Sequence, residues 1–390
     1  MSEYQYYEFL AIDRPLDEQQ QAQVRALSTR AHITASSFTN EYHWGDFRGD
    51  PVQLMEHFYD AHLYLANWGT HRVMLRLPKS LLSPKIAEQY CVDEQVTAWT
   101  SGKNLILDLT SEAEEEFWEE DVERSLSAII GVRAELAAGD LRPLYLAWLS
   151  AYGAWERDED AFEYDEEDEL EPPVPPGLGS LTASQRALAD FLRLDADLLA
   201  VAAEASSSPP AAHDDPAALA AWIAALPAAE KDALLLRVAQ DQAAQVRMEL
   251  RRGFRGPVPP VEGPRRTVAA LLDAAAVRRQ ERERSAAAKR AEEEARRERE
   301  RALACERRLD ELARDEETAW ARAEALIATK RAVEYDQAVE LLKDLETVAR
   351  RVDGMAAFSE RFTRLRTQHL RKPSLIERFD RAGLIYIRTL

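Results

Sequence analysis

The 390-residue chain has only two cysteines and no apolar run as long as a membrane span. Cys91 and Cys305 are too far apart to form a CxxC metal pair, and two thiols cannot build a disulfide framework, which fits a reducing compartment. A membrane-spanning helix needs about 18 consecutive apolar residues, and no signal-peptide pattern opens the chain. The sequence therefore predicts a soluble, cytoplasmic protein without a membrane partner.

The common catalytic signatures are also missing. The chain has no G-x-S-x-G nucleophile elbow, no Walker loop and no G-x-G-x-x-G dinucleotide motif. We expect no cofactor, and we interpret the chain as an interaction protein rather than an enzyme. Its heavy use of alanine and arginine is typical of bacterial genomes with a high GC content.

Charge is distributed unevenly along the chain. Residues 1–180 hold 35 Asp and Glu against 13 Lys and Arg, and the whole chain has a formal net charge of −20. An acidic front half repels nucleic acid and anionic lipid. The segments 112–123 and 156–171 are the most acidic. Such runs are usually solvating linkers, and the alternative is mimicry of a phosphate backbone for a basic partner.

The first part of the chain alternates strand and helix signals. The pair Asp50-Pro51 predicts a helix start, since Asp caps the free amides and Pro tolerates the first turn, and we expect this helix to run to about Trp68. The fold class expected is an α+β N-terminal domain followed by mostly helical regions. Aromatic, β-branched and alternating apolar residues predict strands over Tyr4–Ile12, His32–Trp44, Arg72–Leu77, Gln95–Thr100 and Asn104–Leu109. The last two strands flank Ser101-Gly102-Lys103, a hairpin turn, and Thr182 with Gln185 forms a capping-box pattern that predicts the start of a later helix.

Changes in composition divide the chain further. Runs of acidic residues, proline and glycine indicate linkers, and the alanine-rich and charged segments between them indicate helices. The predicted parts are an α+β domain with C-terminal helices at 1–153, an acidic Pro-rich linker at 154–180, an Ala-rich helical region at 181–252, a Pro/Gly linker at 253–264, a long charged helix at 265–329 and a helical hairpin cap at 330–390.

The long charged helix, from about Thr267 to Thr329, contains no proline or glycine. A single solvated helix held by Glu–Arg pairs four residues apart is one interpretation. A homodimeric coiled coil and pairing with a partner helix are alternatives, although only alanines would form a seam between Val277 and Leu303. About 60 residues would extend on the order of 90 Å. The excess of arginine leaves a nucleic-acid-associated role as a further alternative, which the mixed charges weaken.

Five of the seven histidines lie between residues 32 and 71. An enzyme with an unrecognised site around His43, His57 and His62 is therefore another alternative. A metal site is disfavoured because His57 and His62 would be about 140° apart around a helix and would not share a face. Scattered structural histidines are the simpler interpretation.

Two further binding hypotheses rest on the N-terminal domain. Tyr4 and Tyr6 share one strand face, and Arg72 and Arg76 share another. On one open sheet they would resemble a platform for single-stranded RNA, and the alternative is that the tyrosines pack under helices. Arg48, close to a helix start, would hold an anion if its segment is more than an ordinary loop.

Three short motifs in the tail carry a resemblance. The segments are Ala325–Arg331 (ALIATKR), Tyr335–Leu342 (YDQAVELL) and Arg371–Leu375 (RKPSL). The tail resembles the helical C-terminal tails of some bacterial SWIM zinc-finger proteins, and its helix pair is similar to a single tetratricopeptide-type hairpin. The chain lacks the CxC and CxH zinc ligands of that family, so zinc and DNA binding do not carry over. The resemblance implies a docking module.

Apolar residues of the hairpin cap recur at helical spacing. We predict that Tyr335, Leu342, Phe358 and Phe362 bind a protein partner. The function expected from the sequence is a scaffold or adaptor, in which the N-terminal domain binds one partner and the hairpin cap binds another. A homodimer through the long helix is an alternative assembly.

Overall fold

The computed structural model describes residues 4–112, 126–153, 169–208, 216–240, 242–256 and 265–384. These residues form two compact units, Met1–Glu281 and Arg282–Leu390, called here the N-terminal and C-terminal units. Most of both acidic runs, and most of the Pro/Gly segment predicted at 253–264, lie outside the described residues. The chain has an antiparallel sheet domain followed by helices, so the predicted α+β fold class is confirmed.

A seven-stranded sheet, antiparallel throughout, forms the N-terminal unit together with helices. The strand order is β2-β3-β1-β4-β5-β7-β6. The hairpin predicted around Ser101-Gly102-Lys103 is confirmed, with Ser101 pairing with Asn104. The strands are β1 (Gln5–Leu10), β2 (His32–Ile33), β3 (Ser37–Tyr42), β4 (Ala61–Ala66), β5 (His71–Pro78), β6 (Val96–Ser101) and β7 (Asn104–Ser111).

The helix predicted from Asp50 to about Trp68 is shorter than expected. Asp50 caps it, accepting the Val52 N–H at 2.8 Å, but α2 covers only Pro51–His57. The following residues form β4 instead. Both faces of β4 are covered, so its sequence is apolar almost throughout and has no alternation that would distinguish it from a buried helix.

Each face of the sheet packs against a different set of residues. Leucines of β4, β5 and β7 lie on one face, in a core that also contains Trp148 and Leu188 from the later helices. The opposite face carries Phe9, Phe38 and Met74, which pack with α2 and with α1 (Glu18–Leu27). The sheet is therefore buried on both sides over much of its area.

Further helices belong to the N-terminal unit. The capping box predicted at Thr182 is present, since Thr182 Oγ1 accepts the Gln185 N–H at 3.1 Å. The helices of the N-terminal unit that follow α2 are α3 (Pro84–Ala87), α4 (Leu126–Ile129), α5 (Gly131–Ala137), α6 (Arg142–Gly153), α7 (Ala183–Phe191), α8 (Ala196–Glu204), α9 (Pro216–Ala225), α10 (Ala228–Ala239) and α11 (Ala243–Arg255).

The Ala-rich region predicted at 181–252 is not a separate body. Leu188 and Met248 share one core with the sheet, and so do Val268 and Leu271 from the start of the next helix. That helix, α12, spans Val268–Arg314. The core therefore joins the predicted first domain, the Ala-rich region and the first turns of the long helix.

Part of the linker predicted at 154–180 is packed. Glu171 is buried, and its carboxylate accepts bonds from Tyr145 and, at 2.8 Å, from both Arg266 Nε and Nη2. Backbone bonds from Glu171 N to Arg266 O and from Val268 N to Glu169 O, both 2.9 Å, make a short two-stranded pairing. This segment anchors the start of α12 because a buried carboxylate is stable only when paired.

The long charged helix is interrupted at Asp315. The helix α12 ends at Arg314, and α13 (Glu316–Ala328) begins with Asp315 as its cap, which accepts the Thr318 N–H at 3.1 Å. The uninterrupted helix predicted to Thr329 is therefore wrong. The 47 residues of α12 extend about 70 Å.

The C-terminal unit packs its own core. Trp320, Leu342 and Phe362 are among the buried residues that hold its helices together. Within the described residues, no helix has both the length and the apolar character that crossing a membrane requires. The helices after α13 are α14 (Ala332–Arg351), α15 (Met355–Gln368) and α16 (Pro373–Arg381).

Candidate interaction surfaces

The four residues predicted to bind a partner lie inside the C-terminal unit. Tyr335 is buried in its core, and so are Leu342, Phe358 and Phe362. Phe362 stacks on Phe358 with ring centroids 6.1 Å apart and meets Phe379 edge-on at 5.1 Å. Their helical spacing reflects packing within the bundle, so a docking surface on this unit has to consist of other residues.

The structure does not bring together the three histidines considered for an active site. The His43 ring lies 5.4 Å from the ring of Tyr4, directly before β1, whereas His62 pairs with Phe9 near the other end of β1. Five residues of strand separate these positions by about 17 Å. His57 is exposed at the end of α2. No group of three or more potential ligands in the described part of the chain is arranged to hold a metal ion.

Burial accounts for the chemistry of His62. Its ring stacks on Phe9 with centroids 3.9 Å apart, and Nδ1 lies 2.9 Å from the Glu8 carbonyl oxygen. Among the described residues, its Nε2 has no hydrogen-bond partner. Because burial disfavours the charged ring, the pKa of His62 is lowered to about 3. His62 is therefore a neutral core residue at physiological pH.

We expect acid to destabilise the N-terminal unit through His62. The unfolded ring has a pKa near 6.5, so below that pH the unfolded chain takes up a proton that the folded chain excludes. The contribution of His62 to the free energy of unfolding is thus fully present above about pH 6.5 and is reduced by about 2 kcal/mol at pH 5. The free energy of unfolding is measured with urea at about pH 6.5 and at pH 5. Its decrease between the two pH values should be about 2 kcal/mol smaller in His62→Phe than in the natural chain. The exposed control His57→Phe should keep the full loss.

The proposed RNA platform is not assembled. Tyr4 and Tyr6 are buried in the core that the helices cover, so the alternative that they pack under helices is confirmed. On the other face, Arg72 is paired with Asp108 at 2.8 Å. Arg48 is exposed in its loop. The short helix nearby has its N-terminus capped by an aspartate carboxylate, so no anion site forms there.

A network of buried charges ties β4 to the chain around it. Asp60 Oδ2 accepts the backbone N–H groups of Ile12 and Asp13 at 2.7 and 2.8 Å. Its Oδ1 accepts Arg76 Nη2 at 2.8 Å. Arg133 is also buried and donates to both carboxylate oxygens of Asp13, at 2.9 and 2.7 Å. All four side chains are engaged with one another or with backbone, so the network is structural.

A shallow cleft lies beside the short turn Leu178–Ser180. Its volume is about 460 Å³, and it is lined by Gly179, Ser180, Arg186 and three leucines. Among the described residues, no carboxylate or histidine lines this cleft. A cleft lined by one cation and no acid–base pair does not have the groups that catalysis needs.

Three neighbouring apolar residues of α10 are exposed beside α9. No residue of these two helices, all of which the structure describes, is buried. Leu235 is 66% exposed and Leu236 is 60% exposed, and Val238 is exposed beside them. We call these three residues with the two helices the α9–α10 surface. Contiguous exposed apolar residues usually mark an interaction site.

Two charged residues of α10 bond to neighbouring helices, whereas Leu235, Leu236 and Val238 of the same helix are exposed. Arg237 donates to both carboxylate oxygens of Glu249 on α11, at 2.5 and 2.9 Å. Lys231 Nζ donates to the Ala224 carbonyl at the end of α9, at 2.8 Å. These bonds are made in the orientation of α10 that leaves Leu235 and Leu236 in solvent.

The sequence around the α9–α10 surface is apolar, but this pattern alone does not show that the surface is exposed. Residues 216–229 include no charged residue, and Leu234-Leu235-Leu236 follows shortly after. Such a run indicates burial against something, but a buried core helix and a docking helix share this pattern. Only the position of α11 distinguishes them.

Most of α12 is exposed to solvent. Side chains of residues 280–308 are exposed, except for the half-buried Ala286 and Ala295. Arg296 and Glu300, four residues apart, lie 4.0 Å from each other. Acidic and basic side chains alternate on this surface, so it does not present a continuous basic stripe to a phosphate backbone.

Comparisons with protein-family models, with curated proteins and with solved structures find no match to this chain. The resemblance of its tail to those of SWIM zinc-finger proteins therefore stays a prediction. The α9–α10 surface is the candidate site that the geometry favours, because its residues are exposed, apolar and held in place by bonds to neighbouring helices.

Proposed function

We propose that this chain is a non-enzymatic, cytoplasmic adaptor that binds an apolar helix of a protein partner on its α9–α10 surface. The observation that carries the proposal is the outward rotation of α10, with Leu235 and Leu236 in solvent. Covering two leucines would contribute roughly 3–6 kcal/mol to binding before the costs of association. That gain is of the size that anchors a helix in an apolar groove.

The charge of the N-terminal unit favours a basic partner. Residues 1–281 hold 48 Asp and Glu against 25 Lys and Arg. Glu230 in the first turn of α10 and the exposed Asp232 stand beside the apolar face. An amphipathic helix with leucine-like residues on one face and lysine or arginine at its flanks complements this surface in both polarity and charge.

We expect photo-crosslinking to identify the partner and substitution to weaken its binding. A photoreactive residue at position 236 of the full chain should capture a protein that the same residue at Ala205, outside the surface, does not capture. The purified partner should then bind the Leu235→Ser/Leu236→Ser variant about tenfold or more weakly, since both apolar contacts are lost. Isothermal calorimetry measures both affinities. The fold should be unaffected because both leucines are exposed.

A matched control separates apolar docking from general stickiness. Asp232→Asn lies on the same helix and should change the affinity by no more than about twofold at high salt. The proposal is overturned if the double serine variant binds as well as the natural chain. It is also overturned if the captured protein is a second copy of this chain.

A further inference from the structure

Two loops of the C-terminal unit meet at one end of its helices. Lys372, directly before α16, donates from Nζ to the Ile327 carbonyl near the end of α13, at 2.9 Å. The same ammonium lies 5.9 Å from the ring centroid of Tyr335 in the first turn of α14. Residues 329–331 and 369–372 are therefore neighbours, although about 40 residues separate them in the sequence.

Each loop presents cations next to an exposed apolar side chain. Lys330 and Arg331 precede Val333, which is 68% exposed. Leu370, 61% exposed, precedes Arg371. We call Lys330, Arg331, Val333, Leu370, Arg371 and Lys372 the basic corner. The six residues of the basic corner include four cations and no carboxylate, whereas acidic and basic side chains alternate on α12.

The backbone adds to the positive potential of this corner. Both α14 and α16 begin here, directly after Arg331 and Lys372, and in the described chain no side chain caps either first turn. Helix N-termini carry partial positive charge. Lys330 has a φ of 60°, the left-handed conformation in which helices commonly end, and it directly follows Thr329, the C-cap of α13.

Two carboxylates interrupt the corner and limit what it can bind. Arg331 Nη1 lies 3.5 Å from Glu334 Oε1. Burial and then Lys372 lower the pKa of His369, and the negative charge of Glu324 partly offsets this. A continuous anionic surface would meet both carboxylates. A peptide can place its own carboxylates on the cations and leave Glu324 and Glu334 free.

We propose that the basic corner binds an acidic peptide segment of a protein partner, with an aromatic or aliphatic side chain of the peptide between Val333 and Leu370. Its carboxylates would pair with Lys330, Arg331 and Arg371. The mode is that of acidic-motif recognition by basic clusters. This surface would give the proposed adaptor a second docking site, and it shares no residue with the α9–α10 surface, so either can fail without the other.

A synthetic peptide of repeated Glu-Glu-Phe triplets tests the proposal on the full chain. Fluorescence anisotropy should show binding that weakens at high salt. Arg331→Glu/Arg371→Glu should weaken it about tenfold or more, because each lost ion pair becomes a repulsion. Val333→Ser/Leu370→Ser should weaken it about threefold or more at unchanged charge. The affinity of a peptide with serine in place of phenylalanine should be lowered by Arg331→Glu/Arg371→Glu but not by Val333→Ser/Leu370→Ser.

The control variant Lys343→Glu/Arg350→Glu carries the same change in charge away from the corner. Both residues are exposed on the later turns of α14, so this variant should bind within about twofold of the natural chain. If Lys343→Glu/Arg350→Glu weakens binding of the peptide as much as Arg331→Glu/Arg371→Glu does, the proposal is overturned, because the effect then depends on net charge alone. Tighter binding to phosphatidylserine vesicles or to duplex DNA than to the peptide, with the same dependence on Arg331 and Arg371, would also overturn it.

Discussion

Asp60→Ala should destabilise the N-terminal unit by about 3–5 kcal/mol. The substitution removes an acceptor for two backbone N–H groups and for Arg76. Arg133, which is buried with its Nη2 3.8 Å from Asp60 Oδ1, would be left with less compensation for its charge. An uncompensated buried guanidinium is far more costly than the loss of an exposed ion pair. Hydrogen exchange of β4 and β5, measured by mass spectrometry, reports this loss directly.

Two comparison variants define the cause. Asp232→Ala removes an exposed carboxylate of the same unit and should change stability by less than about 0.5 kcal/mol. Asp60→Asn keeps the shape but removes the charge, so it should fall between the two. If Asp60→Ala costs under about 1 kcal/mol, water must replace the carboxylate and the network is not buried as described.

Phe362→Ala should destabilise the C-terminal unit by about 3–5 kcal/mol. Its ring is fully buried between Phe358 and Phe379, and removing it leaves a cavity in the centre of a small helical core. Hydrogen exchange should therefore rise throughout α13 to α16, while β4 and β7 of the N-terminal unit keep their protection. Each unit is followed through its own peptides, so the measurement does not require the chain to unfold in one step.

The exposed control for this variant is Val352→Ala. Val352 is 63% exposed, and its truncation should change protection by less than about 0.5 kcal/mol. Unchanged protection in Phe362→Ala would mean that the ring is not part of the core, and would return it to the surface role predicted from the sequence. Any loss of partner binding by Phe362→Ala should otherwise accompany the loss of structure.

Local signals in the sequence predict several elements correctly. The caps Asp50 and Thr182 hydrogen-bond to N–H groups two or three residues away, so the necessary partners lie within the segment itself. The hairpin at Gly102 likewise depends on a short turn. The boundary at Asp315 is not predicted, although an aspartate followed by two glutamates is a helix-start pattern. Uninterrupted helical composition on both sides conceals it.

Signals that depend on distant residues give wrong predictions. Glu171 stands in an acidic, proline-rich segment typical of a linker, but Tyr145 and Arg266 bury it. Leu63 and Leu65 fit a buried helix as well as a strand, and pairing with β1 and β5 decides between the two. Each partner lies many residues away, so no window around the segment contains the deciding information.

The sequence by itself determined the fold class, the ends of capped helices and the uneven charge of the chain, because these depend on neighbours in the chain or on composition. Only the tertiary structure decided which apolar faces are covered. Tyr335 and Phe362 have the spacing of a docking face but lie inside the bundle, whereas Leu235 and Leu236 lie in solvent on a helix whose Arg237 pairs with Glu249. An apolar face has the same periodicity whether its own chain or another protein covers it, so the direction in which it points depends on packing.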